Sequence, residues 1–236
     1  MLLSLPASAE AKELEFGYVN LPPFGYTDDE GRSKGYLVAL ARRVFEGMDQ
    51  PVRFVQHPAT RLYRQMESGE TAFTLGAAGL HRLTDTAVES QEPAAKLTIA
   101  LYRQKSTESI SNVNELKDKR VILIKGYTYG QLGRFFEEHR DAMQIIEANG
   151  HKSALRMIQF DRADYLLNYQ TPAETTIAHH QLNGLDRDII GQLGVHFFVS
   201  RALENAQSLA DAWDKQLRAL KRNGQLPEAD YDGMAQ

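Results

Sequence analysis

Two residue types that suit a small anion stand where the sequence predicts strand ends. Arg82 follows the strand-like run 71–75, and its planar guanidinium can hold a carboxylate through two charge-assisted hydrogen bonds. Thr128 precedes a predicted helix, so its hydroxyl and backbone N–H suit the same anion. Loops at the carboxyl ends of parallel strands face one crevice. We therefore expect both residues to line an anion site, with a solvated surface Arg82, or an Arg82 paired to Asp85 or Glu89, as the alternative.

Aromatic side chains gather in the same loops. Five lie in or beside predicted strand ends: Phe24, Tyr26, Tyr127, Tyr129 and Tyr169. Rings so placed can sandwich an apolar, aromatic or cationic part of a ligand, and we expect two or three of them to touch ligand, with the rest in the core or rim. Arg61, in the first turn of a predicted helix, and Asn168, at a strand end, are further ligand-binding candidates. Their alternatives are a structural ion pair and an ordinary turn residue.

Signatures of catalysis and of metal binding are missing from the sequence. It contains no Gly-x-Ser-x-Gly, Walker A, His-Glu-x-x-His or dinucleotide-binding pattern. The absence of Cys removes disulfides, thiolate nucleophiles and Cys-ligated zinc. His179 and His180 are adjacent, so their rings cannot easily share one metal ion, and an exposed helix end is the better interpretation. The sequence therefore predicts no cofactor and no metal.

Composition and charge narrow the class of partner. The chain has 236 residues, 42% of them hydrophobic, and 27 Lys and Arg against 31 Asp and Glu, a net charge of -4. It can bury a core, and it lacks the positive field that nucleic acid requires.

Residues 1–9 are apolar and end in Ala-Ser-Ala, as before a secretory cleavage site. We expect the remnant of a signal peptide, export to the periplasm of a Gram-negative bacterium, and a monomer.

The elements that must position these residues recur in one order, which is strand, helix, strand, helix, strand. The first series comprises residues 14–19, 37–48, 52–55, 58–69 and 71–75. The second comprises residues 120–124, 131–139, 144–146, 152–159 and 163–167. Strands that alternate with helices at this spacing call for mostly parallel sheets flanked by helices. We therefore expect an α/β protein of two similar lobes.

Two long apolar runs connect these lobes in the predicted arrangement. Residues 96–103 and 188–200 are extended enough to cross between them, and two crossings make a hinge. A final amphipathic helix over 203–221, with Trp213 on its apolar face, should pack back on the first lobe. The expected boundaries are 12–97 with 196–236 for the first lobe and 101–190 for the second.

Over residues 14 to about 234 the sequence resembles a known family. The matching pieces are 22–24, 29–36, 58–61 with Gly69, 126–130, 162–165 and 217–224. Together they resemble the periplasmic solute-binding proteins of the polar amino-acid type, extracellular solute-binding protein family 3, which have the type II periplasmic binding fold. The resemblance implies capture of a small carboxylate-bearing solute, amino-acid-like or a related organic acid, by hinge closure for an ABC transporter.

The same resemblance leaves two other functions open. A sensory binding protein would present its closed form to a membrane receptor. The fold is also similar to that of periplasmic dehydratases, and such a lyase would need an acid in the crevice, for which Glu174 and Asp164 are the candidates.

Departures from the family pattern bear on the ligand. Amino-acid binders have a Ser/Thr-rich stretch where this chain has residues 76–79, which include Ala77, the ligand-binding candidate there. An Asp usually takes the ligand ammonium where Tyr169 stands, and Thr71 replaces another usual Asp. The resemblance therefore implies a ligand other than a standard α-amino acid.

Overall fold

Strands and helices alternate along most of the chain in the computed structural model, which describes residues 13–227. The strands are β1 (Leu14–Tyr18), β2 (Tyr26–Thr27), β3 (Ser33–Lys34), β4 (Val52–Gln56), β5 (Phe73–Ala77), β6 (Ala87–Glu89), β7 (Ala95–Gln104), β8 (Arg120–Ile124), β9 (Gln144–Ala148), β10 (Tyr165–Tyr169) and β11 (Leu185–Ser200). The helices are α1 (Tyr36–Gly47), α2 (Ala59–Ser68), α3 (Gln131–Glu138), α4 (His151–Gln159), α5 (Gln170–His180) and α6 (Ala206–Arg222). The expected signal-peptide remnant, residues 1–9, lies outside the described residues.

The first lobe is built on β1, which pairs in parallel with β4 and β5. Its core contains Phe16, Phe45, Phe73 and Phe197, and α6 covers it by inserting Trp213. Trp213 is fully buried, and its ring stacks on Phe197 with centroids 4.0 Å apart. The apolar face of α6 thus lies on this lobe, because it supplies the largest buried side chain of the cluster.

The second lobe is built on β10, which lies between β8 and β7. A parallel neighbour, β9, extends the sheet beyond β8. Helices α4 and α5 cover one face, where Leu155, Ile158 and Ala173 pack on Ile122 and Leu166. Given these two cores, we propose 12–97 with 196–236 as the first lobe and 101–190 as the second.

Two crossing strands join the lobes, as expected from the sequence. Strands β7 and β11 pair antiparallel from Leu185↔Gln104 to Val195↔Ala95, with a register shift between Ile189 and Gly191. Because β11 also pairs with β5 and β7 also pairs with β10, one nine-stranded sheet runs through both lobes. The expected crossing strands thus form the centre of a sheet that continues into each lobe.

Strand β10 also differs from its prediction, since it covers residues 165–169 instead of 163–167. Its far half pairs with β7 through Asn168↔Ala100 and Tyr169↔Ile99, which holds these residues in the sheet. Asn168 is consequently an interior strand residue with 0% exposure and does not stand in a turn. The shift arose because pairing with a distant strand, and not local sequence, sets the end of β10.

A buried ion pair fixes the crossing strands at the second lobe. Arg103 on β7 is 6% exposed, and its Nε donates to Asp188 on β11 at 2.9 Å. The same carboxylate accepts hydrogen bonds from the Ser109 hydroxyl and the Ile110 backbone N–H. Burial alone would raise the pKa of Asp188, but the bonds from Arg103, Ser109 and Ile110 lower it overall. Its stabilising contribution is therefore present above the ordinary pKa of an unfolded Asp and is lost in acid.

Replacing Asp188 by Ala should lower the free energy of unfolding by about 3 kcal/mol, because Arg103 would stay buried with only the exposed Asp186 as its ion-pair partner. Glu138→Ala is the matched control, since it breaks the exposed Arg134–Glu138 pair on α3 and should cost about 1 kcal/mol or less. Urea unfolding followed by circular dichroism measures both. Equal losses in the two variants would contradict the structural role of Asp188.

Candidate functional site

A cavity of about 650 Å³ lies between the two lobes. The first lobe contributes α2 and the short 3-10 turn His81–Leu83, and the second contributes the end of β8, the loop after it, and α3. The residues that line the cavity include Ala59, Tyr63, Arg82, Lys125, Tyr127 and Thr128. The cavity is thus bounded by strand-end loops and helix starts, which is where the sequence predicted a crevice.

Arg82 is exposed on the first-lobe wall of this cavity. Within residues 13–227 it forms no ion pair, and Glu89 instead accepts the Gly79 backbone N–H at 3.1 Å. An Arg82 paired to Asp85 or Glu89 is therefore not present among the described residues, and whether Arg82 binds a ligand or is a solvated surface residue stays a prediction. Lys125, on the opposite wall, also has no ion pair among the described residues, whereas Arg134 is paired with Glu138. Two cations that have no ion pair within residues 13–227 thus face one cavity from the two lobes, and Glu137, Glu138 and Glu147 also line it.

The lobes touch each other beside the cavity at two glycines. A Cβ built on Gly126 would lie 3.7 Å from the Ala59 Cβ, and one on Gly130 would lie 3.7 Å from the Ala77 Cβ. Both glycines have positive φ, +84° and +58°, which glycine adopts without steric cost. Ala77 therefore lies at the contact between the lobes.

A cluster of tyrosines fills the second-lobe side of the cleft. The rings of Tyr127 and Tyr169 stack with centroids 5.5 Å apart, and Tyr129 lies 5.5 Å from Tyr169. Tyr129 is 2% exposed, and its hydroxyl donates to the Leu167 carbonyl and accepts from the Ile124 backbone N–H. Tyr129 is therefore largely a core residue, although it lines the cavity together with Tyr127.

Tyr63 is a cleft residue that the sequence reasoning missed. It projects from α2 into the cavity that Arg82 and Thr128 also line. Burial raises the pKa of Tyr63 to about 12, while the charge of Arg82 and side-chain hydrogen bonding with Thr128 act in the opposite direction. The only sequence signal was its i,i+4 spacing from Ala59 on one helix face.

The pKa of Tyr169, on the other lobe, is also affected by Tyr63 and Thr128. Burial raises it first, and the nearby Tyr63 raises it further, while side-chain hydrogen bonding with Thr128 lowers it. Tyr63 and Tyr169 therefore face Thr128 from opposite lobes.

A neutral histidine closes the inner end of the tyrosine cluster. The Tyr127 hydroxyl and His151 Nε2 are 2.7 Å apart. Burial lowers the pKa of His151 to about 4, with hydrogen bonding from Asn168 acting in the opposite direction. Asn168 itself is fully buried, and its Oδ1 accepts the Tyr169 backbone N–H at 2.9 Å. The polar groups behind the tyrosines are thus an uncharged imidazole and an amide.

The two candidate acids of the lyase alternative lie elsewhere. Glu174 accepts the Tyr102 hydroxyl at 2.9 Å and pairs with Arg187. Asp164 accepts the Arg120 backbone N–H and pairs with the Arg120 guanidinium. Neither carboxylate lines the cavity.

The structure brings only part of the predicted site together. Arg82, Tyr127 and Thr128 line the cavity. Ala77 and Tyr169 lie next to it, at the lobe contact and within the tyrosine cluster.

The other four candidates lie away from the cavity wall. Phe24 is 4% exposed, and Asn168 is buried behind the cluster. Tyr26 belongs to the β2–β3 hairpin, and Arg61 is exposed on α2. Which of the predicted residues contact ligand stays a prediction.

Comparison with known proteins decides the family. The family model described as bacterial extracellular solute-binding proteins, family 3, matches residues 14–230. The chain belongs to this family. A search of curated proteins gave no match.

Solved structures show the same fold at low sequence identity. A histidine kinase sensor domain with similarity to periplasmic binding proteins is 18% identical, with a TM-score of 0.78 and coverage of 91% of this chain and 92% of that one. A structure from work on glutathione import via GshT and the cystine ABC importer TcyBC of Streptococcus mutans is 19% identical, with a TM-score of 0.76 and 92% coverage of both. An ancestral arginine-binding protein bound to arginine is 20% identical, with a TM-score of 0.73 and coverage of 91% and 94%. These similarities establish the two-lobed fold.

Two further findings concern the described residues. No helix within 13–227 is long and apolar enough to cross a membrane. No group of three or more His, Asp or Glu side chains in that range is placed to hold a metal ion.

The wild-type protein should lose stability as the pH falls from 6.5 to about 4, because unfolded His151 binds a proton at a pH where the folded residue does not. The loss through this residue should be about 3 kcal/mol at most. His151→Gln keeps a hydrogen-bonding partner for Tyr127 and should remove this part of the pH dependence. Urea unfolding at several pH values measures this pH dependence. His179→Gln is the control, because His179 is exposed on α5. An identical pH profile for wild type and His151→Gln would refute the buried neutral imidazole.

Proposed function

We propose that this family 3 protein captures a small carboxylate-bearing solute between its two lobes. The observation that carries the proposal is Arg82, an exposed guanidinium without an ion pair among the described residues, on the wall of the interlobe cavity. A bidentate guanidinium contact fits a carboxylate better than a single point charge does. Lys125 on the opposite wall adds a second positive charge, so an anion would attract both lobes.

Thr128 provides the neutral part of the proposed anion site. It stands in the loop between β8 and α3, and it lines the cavity with Arg82. Its hydroxyl can rotate and donate to a carboxylate oxygen.

The other end of the ligand should be uncharged and flat or apolar. In the family pattern an Asp takes the ligand ammonium, whereas this chain has Tyr169, stacked with Tyr127. Behind these rings lie a neutral His151 and the Asn168 amide, which suit a neutral donor or acceptor better than a cation. We infer that organic acids with an apolar or aromatic tail are preferred over arginine-like and other cationic solutes.

Delivery to an ABC importer in the periplasm is the partner function we propose. The S. mutans relative comes from work on import through an ABC importer, which supports this assignment by analogy. Presentation of the closed form to a membrane sensor is the second candidate, which the similarity to a histidine kinase sensor domain favours. Both functions use the same ligand-induced change between lobe arrangements.

A thermal-shift screen of the purified protein tests the ligand class. Four sets of compounds should be compared: aromatic acids, dicarboxylates, amino acids and polyamines. A ligand at 100 times its dissociation constant stabilises the folded state by about 2.7 kcal/mol. Stabilisation by polyamines or arginine alone would overturn the proposal. Turnover of a stabilising acid would show an enzyme instead.

Substitution of Arg82 by Ala should weaken binding of the acid found in the screen about a hundredfold or more, since the bound carboxylate would be desolvated without its partner. Arg82→Lys should restore part of the affinity through its single charge. Titration calorimetry measures both, and circular dichroism confirms that the variants are folded. Arg43→Ala, an exposed Arg on α1, is the matched control. Affinity of Arg82→Ala within about threefold of wild type would show that Arg82 is not the anchor.

A further inference from the structure

Arg82 lies in a turn, residues 78–83, whose second half is held by apolar packing. Leu80 and Leu83 are 3% and 0% exposed, and both belong to an apolar cluster that α2 also enters. Gly79, in the first half, is exposed and has a positive φ of +63°. A Cβ at this position would meet no atom within 4 Å, so packing does not fix the backbone there. The first half of the turn therefore depends on hydrogen bonds.

Hydrogen bonds to β11 and β6 hold this first half. The Ala78 backbone N–H donates to the Gly194 carbonyl of β11 at 2.8 Å. The Gly79 backbone N–H donates to both carboxylate oxygens of Glu89, at 3.1 and 3.2 Å. Glu89 ends β6 and pairs with Phe198 of β11. Because the same β11 residue also pairs with β5, strands β5 and β6 lie on opposite edges of β11, and the Glu89 side chain reaches across that strand to the turn.

The carboxylate of Glu89 is directed at the turn and not at the ligand site. Glu89 does not line the interlobe cavity, whereas Arg82 does. A second neighbour of the carboxylate is the ring of His196, whose Nδ1 lies 3.8 Å from the Glu89 Oε1 atom. This Nδ1 donates to the Ser90 carbonyl at 2.8 Å, since a carbonyl can only accept. Glu89 thus acts on the turn through the Gly79 N–H.

We propose that Glu89 is a positioning residue for the anion site: through the Gly79 N–H it holds the turn in the place from which Arg82 faces the cavity. This inference rests on the proposed function, which assigns Arg82 to the ligand carboxylate. A hydrogen bond from a backbone N–H to a carboxylate is charge-assisted and stronger than one to a neutral acceptor. A turn that is fixed before binding spares the complex the entropy cost of ordering it. Glu89 therefore adds to affinity without touching the acid.

The charge of Glu89 and its hydrogen bond have opposite effects on the binding of an acid. A carboxylate on the same lobe repels an anion, so loss of the charge alone would strengthen binding. Loss of the hydrogen bond releases Gly79 and would weaken binding. Glu89→Gln removes the charge but keeps an acceptor oxygen, whereas Glu89→Ala removes both. Weaker binding in Glu89→Ala that Glu89→Gln restores is therefore a result that the charge by itself cannot produce.

The first experiment needs no ligand and measures the mobility of the turn. NMR relaxation of the backbone amides gives order parameters, which are about 0.85 for a rigid backbone. We expect rigid values for residues 78–83 in wild type and in Glu89→Gln. In Glu89→Ala the value at Gly79 should fall below about 0.6. Glu89→Thr is a second variant, because Thr suits a β-strand and its side chain is too short to reach Gly79.

Glu115→Ala is the matched control. The Glu115 carboxylate also accepts backbone N–H groups, those of Ser111 and Asn112, but it lies in the second lobe and outside the cavity wall. Its loss should leave the order parameters of the Arg82 turn unchanged. A rigid Gly79 in both Glu89→Ala and Glu89→Thr would overturn the inference.

The second experiment measures affinity by titration calorimetry. The probe is the acid that stabilises the wild-type protein most in the thermal-shift screen. Glu89→Ala should weaken its binding about three- to tenfold through loss of the hydrogen bond. Glu89→Gln and Glu115→Ala should stay within about twofold of wild type. Binding by Glu89→Ala as tight as that of wild type, or an equal loss in Glu89→Gln, would overturn the inference.

The two experiments separate this inference from the proposed function. A rigid turn in the Glu89 variants, together with weak binding by Arg82→Ala, would overturn the role of Glu89 and leave Arg82 as the anchor. A mobile turn in Glu89→Ala, together with unchanged binding by Arg82→Ala, would overturn the proposed anchor, and the role of Glu89 in binding would fail with it.

Discussion

The pairing of β7 with β11 is the interaction on which the rest of the structure depends. These two strands form the antiparallel centre of the sheet, and each continues into one lobe by pairing with a strand there. The Arg103–Asp188 ion pair fixes their second-lobe ends, where it is largely buried. The register shift lies between Ile189 and Gly191, beyond this fixed end. Any relative motion of the lobes must bend the ladder there, because the hydrogen bonds are least regular at a bulge.

The anion site and the tyrosine cluster are two consequences of this geometry. Strand-end loops from both lobes meet at one cleft because the crossing strands bring the lobes face to face. Arg82 and Lys125 then face one cavity, whose wall also carries Glu137 together with the Arg134–Glu138 and Arg140–Glu147 ion pairs. A site for an ammonium group would need an acidic side chain. The tyrosine cluster offers polarisable, uncharged rings instead. These features are the basis on which we propose an amphiphilic anion as the solute.

The sequence by itself determined the two-lobed α/β class, the family, the crossing strands and the candidates Arg82, Tyr127 and Thr128. These features depend on local periodicity, turn residues and motif order, which short stretches of chain encode. Only the tertiary structure decided the rest. The crossing strands merged the lobes into one sheet, pairing with β7 moved Asn168 from a turn into the core, and packing brought Tyr63 opposite Thr128. Contacts between residues distant in sequence depend on how whole elements pack, and no local pattern records that.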